Sequence, residues 1–164
     1  MATTDLSAYN KVNLPDAGNM RIGIVVSEWN SEITDNLLRG CQETLSECGM
    51  TLDKIQILNV PGSFELPLGA QMLLENKSLE AVICLGSVVR GETPHFDFVC
   101  QTCADGIKDV ALKYNKPVIF GVLTDDNIEQ SRARSGGALG NKGTEAAITA
   151  IKMVALKRQL EDTW

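Results

Sequence analysis

Histidine occurs only once in this sequence, at position 95. A single C-x-x-C pair, Cys100-Gln101-Thr102-Cys103, supplies two of the four ligands a zinc site usually has, and with no second pair and only one histidine the other two are not both at hand. The pair also lies inside a helical pattern, whereas a thioredoxin-like pair opens a helix just after a strand. The five cysteines are odd in number, and Cys41, Cys48, Cys84, Cys100 and Cys103 all fall in apolar segments. Buried, inert thiols are expected. Positive charge is not in excess: 15 basic against 21 acidic side chains give a formal net charge of −6. Such a surface repels phosphate backbones, which argues against a nucleic-acid partner. No apolar run approaches the roughly 20 residues that cross a bilayer, and Met1 to Met20 carries no apolar stretch of the signal-peptide kind. A cytoplasmic protein with no membrane partner is expected. Repeats, low-complexity runs and interdomain linkers are missing too. The 164 residues suit one domain, 1–164, with an N-terminal arm (1–20) and a core (21–164). That length supports a hydrophobic core without a disulfide or metal.

What is present alternates between strand and helix. Arg21–Ser27 reads as a short buried strand, followed by a helix capped by Asn30 or Ser31, with Ile33, Leu37, Cys41, Leu45 and Cys48 at helical spacing and Gly49 after its end. Lys54–Val60 is the second strand and Glu65–Asn76 the second helix. Glu80–Leu85 and Phe96–Tyr114 are the third pair, and Pro117–Val122 is the fourth strand. A short helix over Asn127–Arg134 and a final one over Asn141–Leu160 complete the chain. Strands spaced by helices imply right-handed crossovers. The fold expected is a three-layer, doubly wound α/β domain, with a four-stranded parallel sheet flanked by helices on both faces. Ligands of such folds bind beyond the carboxyl ends of the strands. That rule selects Glu28–Asn30, Pro61–Glu65, Gly86–His95 and Leu123–Asn127.

Those loops hold most of the reactive chemistry. In Gly86-Ser87-Val88-Val89-Arg90-Gly91-Glu92-Thr93-Pro94-His95, Gly86 and Gly91 let the backbone turn and approach a ligand closely; the loop leads into a long helix, whose first N–H groups favour an anion. His95 at that entrance suits proton transfer near neutrality, or it packs or caps. Glu65 can face a ligand or serve as a first-turn helix charge, and Trp29 can stack on a planar ring or cover the sheet end. Together with Phe64, these groups describe a small-molecule pocket better than they describe separate structural roles. Ser131–Gly143 is glycine-rich and basic. It does not match a nucleotide phosphate loop, because Asn141 precedes Lys142 and Gly143 stands where that loop has Ser or Thr. It is either a flexible connection or a place where Arg134 or Lys142 meets a phosphate. A receiver domain is excluded, since Ser27-Glu28 and Gly86-Ser87 stand where its acidic residues belong.

The segments SEWN, VPGSFELP, GSVVRGETPHFDFVC, VIFGVLTDDNIEQSRARSGG and GNKGTEAA, in this order, resemble the lumazine synthase family from end to end. The resemblance implies an enzyme, a transferase of riboflavin biosynthesis. It would condense 5-amino-6-(D-ribitylamino)uracil with 3,4-dihydroxy-2-butanone 4-phosphate to give 6,7-dimethyl-8-ribityllumazine, phosphate and water, without a cofactor or metal. By position it implies His95 as the active-site histidine and Trp29 as the aromatic stacked on the pyrimidine. Ser63, Phe64 and Glu65 match the ribityl- and ring-binding segment, and Ser87, Val88 and Val89 further pyrimidine contacts. Glu92 and Thr93 match the pair whose backbone receives the butanone phosphate, and Arg134 the arginine that neutralises it. Phe120 resembles an aromatic reaching a neighbour's site; Lys142 and Glu145 lie at its edge. The family also implies a homo-oligomer: a pentamer in which an N-terminal strand, here Lys11–Leu14, joins a neighbouring sheet. The short, insertion-free Ser135–Gly143 connection resembles members that stack twelve pentamers into an icosahedral shell of about 60 subunits. A catalytically silent flavin- or lumazine-binding relative is the alternative.

Overall fold

A computed structural model describes residues 13–162. The first strand, β1 (Ile22–Ser27), is buried along its whole length, as a central strand covered on both faces must be. It lies between β2 (Gln56–Val60) and β3 (Ala81–Val89), and β4 (Val118–Asp125) pairs with the far side of β3. All three pairings are parallel, in the order β2-β1-β3-β4. The expected four-stranded sheet is therefore present.

Period-two alternation distributes its side chains between two cores. Ile22, Ile24, Val26, Ile83 and Leu85 face a layer formed by α1 (Ser31–Glu47) and α5 (Lys142–Asp162), with Ile33, Leu37, Cys41, Leu45, Ala147, Ile151 and Val154 buried there. Val25, Val82 and Cys84 face α2 (Leu66–Asn76) and α3 (His95–Tyr114), against Leu66, Ala70, Leu73, Cys103 and Ile107. Where α1 and α5 meet, an added Cβ on Gly143 would lie 1.9 Å from the Leu37 carbonyl oxygen. Asn141 bridges the same contact, donating to the Asn36 carbonyl (2.9 Å) and accepting the Gly143 N–H (2.8 Å).

Several expectations are corrected. β3 runs on to Val89 and β4 to Asp125, paired to their ends (Val89 with Asp125), so Ser87, Val88 and Val89 lie on a strand rather than in a loop. Gly86 does not turn the chain. It permits close packing, since an added Cβ would meet the Ser63 hydroxyl at 2.6 Å and Leu66 at 2.9 Å. Beyond α4 (Ile128–Arg134), the glycine-rich connection is an antiparallel hairpin, β5 (Ser135–Gly137) and β6 (Gly140–Asn141), whose Gly136 and Gly140 take positive φ of 111° and 82°. Asn30 occupies the cap position of α1 in the left-handed region (φ 59°), but its side chain does not cap the helix. Of the cysteines, Cys41, Cys84 and Cys103 are buried, while Cys48 and Cys100 are half-buried. Burial pushes the Cys103 thiol up to about 12, which keeps it protonated and unreactive. The N-terminal strand expected over Lys11–Leu14 begins outside the described residues. No helix among the described residues is long and apolar enough to cross a membrane.

Candidate active site

Hydrogen bonds join three strand ends into one edge. The Glu28 N–H donates to the Val60 carbonyl (2.9 Å) and the Trp29 N–H to the Pro61 carbonyl (3.2 Å). Asn30 Nδ2 donates to the Ser87 carbonyl (2.9 Å), which is the use its left-handed backbone serves. Trp29 is thereby held over Gly62, where an added Cβ would come within 3.5 Å of the indole, yet the residue stays 70% exposed. Phe64 is exposed beside it. Glu65 is half-buried and its Oε2 accepts the Gly62 N–H (3.0 Å). In this chain, then, the carboxylate secures the turn that enters α2. Ser63 is buried, and the hydroxyls of Ser27 and Ser87 are buried without a hydrogen-bond partner among the described residues. A hydroxyl in that state costs about 1–3 kcal/mol.

Past Val89, which like Val88 is half-buried, the chain turns over residues 90–94 into α3. Glu92, Thr93 and His95 are exposed, with His95 the first residue of the helix. Gly91 faces open space. Arg90, unassigned from sequence, secures this turn. Its N–H donates to the Asp125 carbonyl (2.9 Å), its Nε to Asp126 (2.9 Å) and its Nη1 to Asp97 (3.2 Å), and its guanidinium lies 4.1 Å from the Phe96 ring centroid. Exposed ion pairs are individually weak, but these contacts together connect the β3–α3 turn to the β4–α4 turn. The Asp126 bond raises the Arg90 pKa further, so the charge persists.

Two arginines follow on α4. Arg132 is engaged by Glu32 through two bonds (2.8 and 3.0 Å), which lower the Glu32 pKa. Arg134 is half-buried, and both its contacts fall on Nη1: the Gln130 carbonyl at 3.1 Å and the Asp125 carboxylate at 3.6 Å. Asp125 is buried and accepts the Ser131 hydroxyl at 2.8 Å. Asp125 escaped the sequence reading, because an acidic pair after an apolar strand reads as an exposed turn; only its burial distinguishes it from Asp126.

Phe120 lies well inside its strand. It pairs with Cys84, five residues before Asp125 and therefore about 16 Å back from the carboxyl edge. It is exposed and lines a hollow of about 360 Å³ with Lys142 and Glu145, whose side chains pair at 2.5 Å. Trp29, Glu65 and His95 do not line that hollow. The chain thus presents its expected site residues in separate groups: Trp29, Ser63, Phe64, Glu65, Ser87–Val89 and Glu92–His95 along one edge, Arg134 beside Asp125, and Phe120 with Lys142 at a distance from the edge.

Comparison with known proteins accounts for this combination of segments. Residues 19–158 match the family model for 6,7-dimethyl-8-ribityllumazine synthase. The chain is 54% identical over 156 residues to the protein of that name from Parabacteroides distasonis, covering 94% of this chain and 98% of the relative. It is 52% identical over 161 residues to that of Flavobacterium johnsoniae, covering 97% and 85%. With that of Cytophaga hutchinsonii the identity is 54% over 154 residues, covering 94% and 96%. A match over nearly the whole core, at half-identity with full-length relatives, places this chain in the 6,7-dimethyl-8-ribityllumazine synthase family.

Proposed function

We propose that this chain is a cytoplasmic transferase that makes 6,7-dimethyl-8-ribityllumazine from 5-amino-6-(D-ribitylamino)uracil and 3,4-dihydroxy-2-butanone 4-phosphate. The observation that carries the reading is the tied edge, where an open tryptophan face, unpartnered serine hydroxyls and a helix-entry histidine occur together in a chain of this family. Trp29 and Phe64 offer apolar surface to the pyrimidine. Ser63, Glu65, Ser87 and the Val88–Val89 backbone offer polar partners for the ring and its ribityl chain. The 5-amino nitrogen attacks the ketone carbon, and loss of water leaves a Schiff base. Elimination of phosphate follows, and the ribityl-bearing nitrogen then closes the ring with loss of a second water. His95 moves protons through these stages, while the Glu92–Thr93 backbone and Arg134 bind the phosphate and stabilise its departure. Holding two reactants in attack geometry supplies much of the remaining acceleration. The purified protein should develop lumazine absorbance with stoichiometric phosphate release only when both substrates are present. Tight binding of lumazine without turnover would instead identify a silent binding relative.

The separation of Phe120 and Lys142 from the Trp29–His95 edge supports a site completed by a neighbouring copy. A head-to-tail contact of this kind closes into a ring, here a pentamer, with the N-terminal arm adding to the adjacent sheet and pentamers stacking into an icosahedral shell. Co-refolding equal amounts of the inactive variants His95→Ala and Arg134→Gln tests this arrangement. One interface in four then joins the two intact surfaces, so turnover should return to about a quarter of the wild-type level. No recovery in mixtures shown to contain both chains would mean that each copy closes its own site.

A further inference from the structure

The ion pair between Asp125 and Arg134 takes no part in the proposed reaction. A buried carboxylate is costly unless hydrogen-bonded and paired. Asp125 obtains its hydrogen bond from Ser131 (2.8 Å) and its opposite charge from Arg134 (3.6 Å). The orientation of Arg134 does not depend on this pair, since the Gln130 carbonyl already holds the same Nη1 at the shorter distance of 3.1 Å. The longer Asp125 contact acts mainly through charge. Any anion that reaches Arg134 therefore meets a guanidinium already part-neutralised, with a fixed negative charge behind it. Because the carboxylate is buried, salt screens that repulsion weakly.

We propose that Asp125 is the resident counter-anion of Arg134 and that its charge limits how tightly the guanidinium holds phosphate. The inference rests on Arg134 being the phosphate arginine. Phosphate is both part of a substrate and a product that has to leave, so uniformly tight binding of it does not speed turnover. A charge that weakens phosphate retention favours release.

The test uses inorganic phosphate as the probe of the assembled enzyme. It is read as a phosphate-dependent rise in Tm in every variant, and as product inhibition in the active ones. Asp125→Asn and Asp125→Ser both remove the charge while keeping a group that can bond Ser131. Each should bind phosphate about tenfold more tightly than wild type. The gain should vanish when Asp125→Asn is combined with Arg134→Gln. A carboxylate with only a structural role gives lower stability and no gain in affinity. Unchanged or weaker phosphate binding in a folded neutral variant overturns the proposal, as does failure of both variants to fold. If Arg134→Gln alone binds phosphate as wild type does, the assignment of Arg134 fails and takes the inference with it. If Arg134→Gln loses phosphate while the Asp125 variants gain nothing, only the inference fails.

Discussion

Alanine in place of His95 should lower kcat by about 10²- to 10⁴-fold, the range of a positioned general acid–base group. The KM of either substrate should change little, because the residues proposed to bind the ring and the phosphate are untouched. Stability should stay within about 0.5 kcal/mol of wild type, as for other substitutions of exposed surface residues, since His95 is exposed. That separation makes the experiment informative: a large kinetic loss without a stability loss is not the signature of a packing residue. His95 is the chain's only histidine, so no second imidazole can take over its protons. Steady-state kinetics together with a thermal melt suffice. Wild-type turnover in the variant would remove His95 from the mechanism.

Gly143→Ala should be among the most destabilising single substitutions in the chain. Two effects oppose each other, and their sizes decide the sign. Alanine in a helix is normally favoured over glycine by about 0.8–1 kcal/mol. Here the added Cβ would lie 1.9 Å from the Leu37 carbonyl oxygen and 2.7 Å from its carbon, and both are backbone atoms of a packed helix. Neither can swing aside as a side-chain end would, so α5 must move away from α1. Overpacking alone costs about 1–3 kcal/mol, and loss of the Asn141 bridge adds to it. A net loss of about 2–3 kcal/mol is expected, seen as a lower denaturant midpoint and a lower yield of soluble protein. A variant as stable as wild type would mean that the two helices do not approach this closely.

The layers were legible in the residues because buried parallel strands and amphipathic helices announce themselves through period. Ile22–Ser27 and the Ile33-Leu37-Cys41-Leu45 stripe have one sensible placement each. The strand ends were less legible. Gly86 suggested a turn because glycine most often marks one, and only the Ser63 and Leu66 atoms beside it show that close packing is the reason. The Trp29, Glu65 and His95 loops could be set at one sheet edge from topology alone. The depth of Phe120 on its strand could not, since an aromatic near a strand end has the same local pattern as one mid-strand. Arg90 and Asp125 stayed hidden for a different reason. Their partners come from other segments, Asp126 and Asp97 in one case and Ser131 and Arg134 in the other, and periodicity does not report such pairings.

The pairing of α1 with α5 also orders events in time. The sheet is assembled from consecutive units, and all four strands have left the ribosome once Asp125 has. The face of α1 that carries Ile33, Leu37, Cys41 and Leu45, however, is completed by Ala147, Ile151 and Val154 of the last helix. During synthesis, a nearly finished sheet therefore waits with one apolar layer half-covered until the C-terminal 21-residue helix is released to dock. Exposed apolar surface of this kind is where nascent chains aggregate or recruit chaperones. A truncation before α5 would hold the chain permanently at that stage, with its strands present and one hydrophobic face still open to water.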